Sequence, residues 1–175
     1  MKNSNFTIRN AHPSEFKEIG RLMVKTYSRL EGFPNKEEQP KYYKMLANIG
    51  ELTQKPNTEL LVAVSKEGSI GGGVVYFSDM KYYGSGGIAP QEKNASGFRL
   101  LAVDSSTRGK GLGKLLSLEC IKRAKTLHQD HLVIHTTKAM QVAWGMYKKL
   151  GFKRATDLDF LQGELSVFGF RLALS

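Results

Sequence analysis

Val103-Asp104-Ser105-Ser106-Thr107-Arg108-Gly109-Lys110-Gly111-Leu112-Gly113 is the stretch on which the reading of this chain turns. It follows an apolar run, residues 98–103, that reads as a strand. Asp104 to Thr107 is a polar turn. Three glycines then fall within five residues, and Leu112, Leu116, Cys120, Ala124 and Leu127 recur on one helical stripe, widened by Leu115 and Ile121. Residues 131–135 are again strand-like, so strand, helix and strand imply a parallel pair within a mixed sheet. At the junction the glycines leave backbone N–H groups uncovered, and a helix start carries unpaired N–H groups and a positive dipole end. Together they form an anion site whose usual occupant is phosphate, and Arg108 and Lys110 add charge.

Outward from this stretch the pattern continues. Residues 6–9 alternate as a strand. Pro13 and Ser14 open a helix with Phe16, Ile19, Leu22, Met23 and Tyr27 at helical spacing, ended by residues 32–34. A second helix is expected over residues 36–52, with Pro40 in its first turn. Residues 60–64 and 70–77 form a hairpin, in which Gly71, Gly72 and Gly73 suggest a bulge or a close backbone neighbour. Residues 79–96 read as a long loop. Residues 140–150 form a short helix closed by Gly151, and residues 152–155 and 167–174 are final strands. The order β-α-α-β-β-β-α-β-α-β-β is an α/β mixture containing both hairpins and a crossover.

Length and composition bound the function. The chain has 175 residues, which suits a single domain over 1–175, and 41% of them are apolar. Lysine and arginine number 26 against 16 acidic residues, a net charge of +10 that favours anionic partners. The basic residues are spread along the chain, and the aromatics that neighbour them, in Lys41-Tyr42-Tyr43 and Lys81-Tyr82-Tyr83, make a weak nucleic-acid signature, so no nucleic-acid partner is expected. No apolar run reaches the roughly 18–20 residues that span a bilayer, and residues 1–13 hold no apolar leader stretch, so no membrane partner is expected. A lone cysteine, Cys120, excludes an internal disulfide, so a reducing, cytoplasmic location is expected.

Common phosphate-binding patterns fail here. A mononucleotide P-loop needs glycine where Arg108 stands and serine or threonine where Leu115 stands. A dinucleotide fingerprint starting at Gly109 would need glycine at Lys114, and Gly84 to Ala89 is followed by Pro90 rather than an apolar helix. What matches is Arg108-Gly109-Lys110-Gly111-Leu112-Gly113 after Leu101-Ala102-Val103, which resembles the acyl-coenzyme A motif of the GNAT N-acetyltransferase superfamily. Ala143-Trp144-Gly145-Met146-Tyr147-Lys148-Lys149-Leu150-Gly151-Phe152 resembles that superfamily's second signature, at the expected distance downstream. The resemblance covers about residues 98–160.

The resemblance implies a GNAT-like, mostly antiparallel sheet flanked by helices, with a splayed parallel strand pair at the cofactor cleft. It implies acetyl-coenzyme A as co-substrate, no metal, and an unidentified amine acceptor that attacks the thioester directly in a ternary complex. The implied cofactor contacts are Leu101, Ala102, Val103, Arg108, Gly109, Lys110, Gly111, Leu112, Gly113 and Lys114. The backbone N–H near Leu101 would polarise the acetyl carbonyl, Val103 would pair with the pantetheine arm, and Tyr147 would protonate the leaving thiolate.

Two departures stand out. No carboxylate occupies residues 96–99, where many relatives carry a glutamate base, and Met140 stands where many have asparagine. His135 is a candidate base, set against the more ordinary reading of a hydrogen-bonded structural histidine. Asp157 and Asp159 could meet a cationic substrate or be ordinary turn residues, and Arg99 could face the acceptor or pair with a carboxylate. The competing reading is a catalytically silent acyl-coenzyme A sensor, and a homodimer is possible.

Overall fold

The structure, a computed structural model, describes residues 5–174. Residues 1–4 and 175, the ends of the expected domain and the start of the stretch read as lacking a leader, lie outside them. The chain runs β1 (Phe6–Asn10), α1 (Phe16–Ser28), α2 (Pro40–Ala47), β2 (Thr58–Ser65), β3 (Ile70–Phe77), β4 (Ala95–Val103), α3 (Leu112–Thr126), β5 (His131–Thr136), α4 (Gln141–Lys149), β6 (Lys153–Arg154), β7 (Phe160–Gln162) and β8 (Leu165–Ala173). The sheet order is β1-β2-β3-β4-β5-β8-β6, with β7 on β8. Every pair is antiparallel except β4 with β5, which the crossover helix α3 connects. This is the mixed, mostly antiparallel, helix-flanked sheet that the resemblance implied.

Period-two burial divides the interior into two layers. Along β2, Leu60, Val62 and Val64 enter one core with Ile19, Met23, Tyr43 and Leu46 from α1 and α2. Leu61 and Ala63 enter the other, with Leu112, Leu116 and Cys120 of α3. A central strand buried on both faces needs an apolar residue at nearly every position, which is why residues 60–64 read as a continuous apolar run.

Three elements differ from the sequence reading. The helix expected over residues 36–52 is helical only in α2, followed by a 3-10 turn, Ile49–Gln54. Asn48 breaks it by leaving the helical region, and its side-chain amide donates to the Lys44 carbonyl at 2.9 Å. The long loop holds two 3-10 turns, Met80–Tyr82 and Ala89–Gln91, with Met80, Tyr83 and Ala89 buried, and β4 already starts at Ala95. Strand β7 has three residues, too few for period-two alternation to show. The glycines of β3 do mark a bulge and close approaches. The β2–β3 register shifts at Gly71, and a Cβ on Gly72 would meet the Ala102 carbonyl oxygen at 2.9 Å.

Helices α1 and α2 approach closely at Gly20, where a Cβ would lie 2.2 Å from the Ala47 carbonyl oxygen. That neighbour is backbone and cannot rotate away. Gly20→Ala is therefore expected to destabilise the fold by about 1–3 kcal/mol, read as a lower denaturant midpoint.

Candidate active site

Strand β4 pairs with β5 only at Ala95, Ser96 and Gly97. Beyond these residues β4 keeps β3 and β5 keeps β8, so their facing edges part. Between Arg99 and Ala102, β4 holds two residues opposite Val74 alone, and Leu100 takes a φ of 64°. This is a β-bulge with a non-glycine residue in the left-handed region, a conformation costing on the order of 1–2 kcal/mol. It shifts the alternation of the strand. Before it Ala95 faces the α1–α2 core and Phe98 the α3 core, whereas after it Leu100 and Ala102 face the α1–α2 core. Leu101 and Val103 consequently pack on the α3 side.

One tyrosine braces this geometry directly, and a second, Tyr43, lies behind it with its hydroxyl 3.2 Å from the Tyr27 carbonyl. Tyr27 on α1 donates its hydroxyl to the Leu101 carbonyl at 2.9 Å, and Tyr43 on α2 donates to the Pro34 carbonyl at 2.7 Å. Tyr27 is a site residue that sequence reasoning missed, because its place on an apolar stripe carries no mark of its hydroxyl's role.

The parted strands open a cleft of about 1210 Å³. One wall carries Leu101 and Val103 and runs to Arg108, Gly109, Gly111, Leu112, Gly113 and Lys114 at the start of α3. Gly109 and Gly111 have φ of 84° and 75°, and a Cβ on either would meet nothing within 4 Å. Backbone conformation rather than space therefore asks for glycine here. Gly111 is the N-cap of α3 and no side chain caps it, so the N–H groups of the first turn remain available to an anion. Two expected contacts do not line the cleft with side chains. Ala102 is buried opposite Gly73, and the Lys110 ammonium lies 5.9 Å from the centre of the Phe6 ring.

The other wall carries Thr136, Thr137, Met146 and Tyr147. Tyr147 lies with its ring against Phe98 and Phe152, at centroid distances of 5.9 and 5.6 Å. Burial pushes its phenol well above the ordinary value, so it keeps its proton at neutral pH. No group among the described residues hydrogen-bonds that hydroxyl. Thr137 Oγ1 is buried without a partner among the described residues, and nothing in the sequence signalled it.

At the far end the cleft meets Tyr27, Tyr42, Arg99 and His135. The two ring nitrogens of His135 are both engaged. Nε2 lies 2.9 Å from the Leu158 carbonyl, which can only accept, so Nε2 carries the proton. Nδ1 then accepts from the Tyr83 hydroxyl at 3.0 Å. Burial, assisted by the positive charge of Arg99, holds this imidazole below its ordinary value. Asp157 and Asp159, weighed as contacts for a cationic substrate, are held by Arg171 and Arg154, both at 2.8 Å.

A mixed sheet opening at its parallel pair beside an uncapped, glycine-rich helix start is the architecture of the acetyltransferases that draw on acetyl-coenzyme A. The defining pattern of the acetyltransferase (GNAT) family matches residues 19–152, and the chain belongs to that family. An N-acetylaspartate synthetase from Xenopus tropicalis is 36% identical over 63 residues, which are 36% of this chain and 23% of that protein. The match thus spans about a quarter of that relative's length. A GNAT-family acetyltransferase structure from Staphylococcus aureus Mu50 has a TM-score of 0.73 at 17% identity, covering 97% of this chain and 99% of that one. The protein yncA from Salmonella typhimurium, solved with its cofactor acetyl-CoA, has a TM-score of 0.65 at 16% identity, covering 98% and 95%.

Protonating His135 costs more in the folded chain than in the unfolded one. Its stability contribution is therefore full above the ordinary value of 6.5 and is lost as pH falls toward the lowered folded value. NMR titration of the imidazole should give a midpoint below 6.5, and a midpoint at or above 6.5 would contradict burial as the dominant influence on the ring.

Proposed function

We propose that the chain transfers the acetyl group of acetyl-coenzyme A to a primary amine that attacks the thioester directly while both are bound. The observation that carries this reading is Tyr147, a protonated and unclaimed phenol on the wall facing the open edge of β4. The cleft fits the co-substrate chemically. Its glycine-rich end offers backbone N–H groups and Arg108 and Lys114 to phosphate, and its parted strands leave edges to which an extended amide arm can add. The orphaned hydroxyl of Thr137 gains a partner when a polar arm lies there.

In this reading the N–H groups of Gly109, Lys110, Gly111, Leu112 and Gly113 hold the pyrophosphate, with Arg108 and Lys114 beside it. Val103 pairs with the arm, and Ala102 and Leu101 fix the strand on which it lies. Acetyl-coenzyme A supplies an activated acyl carbon. The backbone N–H at Leu101 steadies the carbonyl oxygen as the amine nitrogen bonds to that carbon. The carbon–sulfur bond breaks, and Tyr147 gives its proton to the departing sulfur. The amine proton leaves through water, or to His135 once Nδ1 surrenders the Tyr83 hydroxyl. The silent-sensor alternative rests on one observation: no aspartate or glutamate lines the cleft among the described residues.

Free-thiol release measured against a panel of amines tests the proposal. Tyr147→Phe should lower kcat by about 10²- to 10⁴-fold while acetyl-coenzyme A binding holds within about twofold. Undiminished turnover would remove Tyr147 from the chemistry. Acetyl-coenzyme A binding without turnover of any amine would favour the sensor.

A further inference from the structure

The charge in the cleft is one-sided. Arg99, Lys41, Lys55, Arg108 and Lys114 line it, with no carboxylate to balance them among the described residues. Arg108 and Lys114 belong to the phosphate end. The other three stand at the acceptor end, where the proposed co-substrate gives them nothing to neutralise.

Arg99 is the exception among its kind. Five arginines of the described chain are half-buried: Arg9, Arg99, Arg123, Arg154 and Arg171. Glu15 holds Arg9, Glu59 and Glu119 hold Arg123, Asp159 holds Arg154, and Glu92 and Asp157 hold Arg171. Arg99 has no such carboxylate among the described residues. Its Nη1 donates to the Tyr83 carbonyl at 3.0 Å, and its guanidinium lies 5.8 Å from the centre of the Tyr83 ring. These contacts fix the orientation of the group and leave its charge uncompensated. A guanidinium has five donor N–H groups, and a partly desolvated cation gains most from an anionic partner.

Gly84 shares the cleft wall with Arg99 and Lys55 and keeps that wall free of a further side chain. Its φ is 77°, and a Cβ there would lie 3.2 Å from Arg99 Nη1 and 3.8 Å from Lys55 Nζ. The two cations therefore converge beside a residue that has no side chain. Period-two alternation from Ala95 puts Arg99 on the α1–α2 side of the sheet, and the bulge that follows it turns Leu101 to the opposite, cofactor side.

We propose that this is the anion site of the acceptor: the amine carries a carboxylate, Arg99 grips it with Lys55 in support, and Arg99 sets acceptor specificity. The planar fork of arginine matches the two oxygens of a carboxylate. The same three cations repel a polyamine, which carries no negative charge to offset them. This inference rests on the acetyl-transfer reading and narrows it to amino-acid-like acceptors.

The test compares kcat/KM for a set of L-amino acids, their carboxamides and the corresponding decarboxylated amines. A grip of charge-assisted hydrogen bonds predicts that wild type favours the carboxylate by roughly 10- to 100-fold. Arg99→Met should bring that ratio close to parity, and Arg99→Lys, which keeps the charge without the fork, should retain part of it. Acetyl-coenzyme A binding and the thermal midpoint of each variant show that the fold persists. Equal or better turnover of carboxamides or polyamines by wild type overturns this inference and leaves acetyl transfer standing. A carboxylate preference that survives Arg99→Met overturns the assignment to Arg99. Failure of every amine, with acetyl-coenzyme A bound, overturns acetyl transfer and this inference with it.

Discussion

Parallel pairing between β4 and β5 stops after three residues, and the cleft follows from that interruption. Each strand keeps a partner on its far side, so separation exposes two backbone edges without dismantling the sheet. Exposed edges are normally a liability, because their N–H and C=O groups invite another strand. Here the strained bulge at Leu100 turns the edge of β4 and reverses which residues face which helices. One irregularity thus sends Leu101 toward α3, where unbroken alternation would keep it beside Arg99 on the side of α1 and α2. The hydroxyl of Tyr27, on the Leu101 carbonyl, ties helix α1 to that irregularity.

The two ends of the cleft work by different means. At the start of α3, glycine conformations and uncapped N–H groups present backbone to a ligand, and side chains contribute little beyond charge. At the opposite end the loop carrying Tyr83, the end of β5 and the helices α1 and α2 present side chains. There Tyr83 links Arg99 to His135: its carbonyl orients the guanidinium, and its hydroxyl occupies Nδ1. Backbone recognition suits a constant group, and side chains suit a part that varies between substrates.

Legibility in the sequence followed the same division. The crossover, the glycine-rich helix start and the helix carrying Tyr147 were readable, because periodicity and glycine spacing are local properties of the chain. The segment 79–96 read as featureless because its buried Met80, Tyr83 and Ala89 have no period. Helix α2 was overextended because the apolar positions continue through Ile49 while the backbone changes from α to 3-10 at Asn48. The roles of Tyr27, Thr137 and Arg99 depend on contacts with residues distant in sequence, such as Leu101 for Tyr27, and no local pattern encodes them. For His135 the sequence left two readings, and only the positions of Tyr83 and Leu158 reveal that both nitrogens are engaged.

Cys120 sits in α3 with no solvent exposure, and burial drives its thiol well above the ordinary value. Exchange with a disulfide requires a reachable thiolate, and this residue is neither reachable nor ionised. A protein proposed to liberate a free thiol at each turnover thus keeps its own sulfur out of mixed disulfides with that product. The one thiol of the chain is shielded from disulfide exchange by the packing of α3 itself.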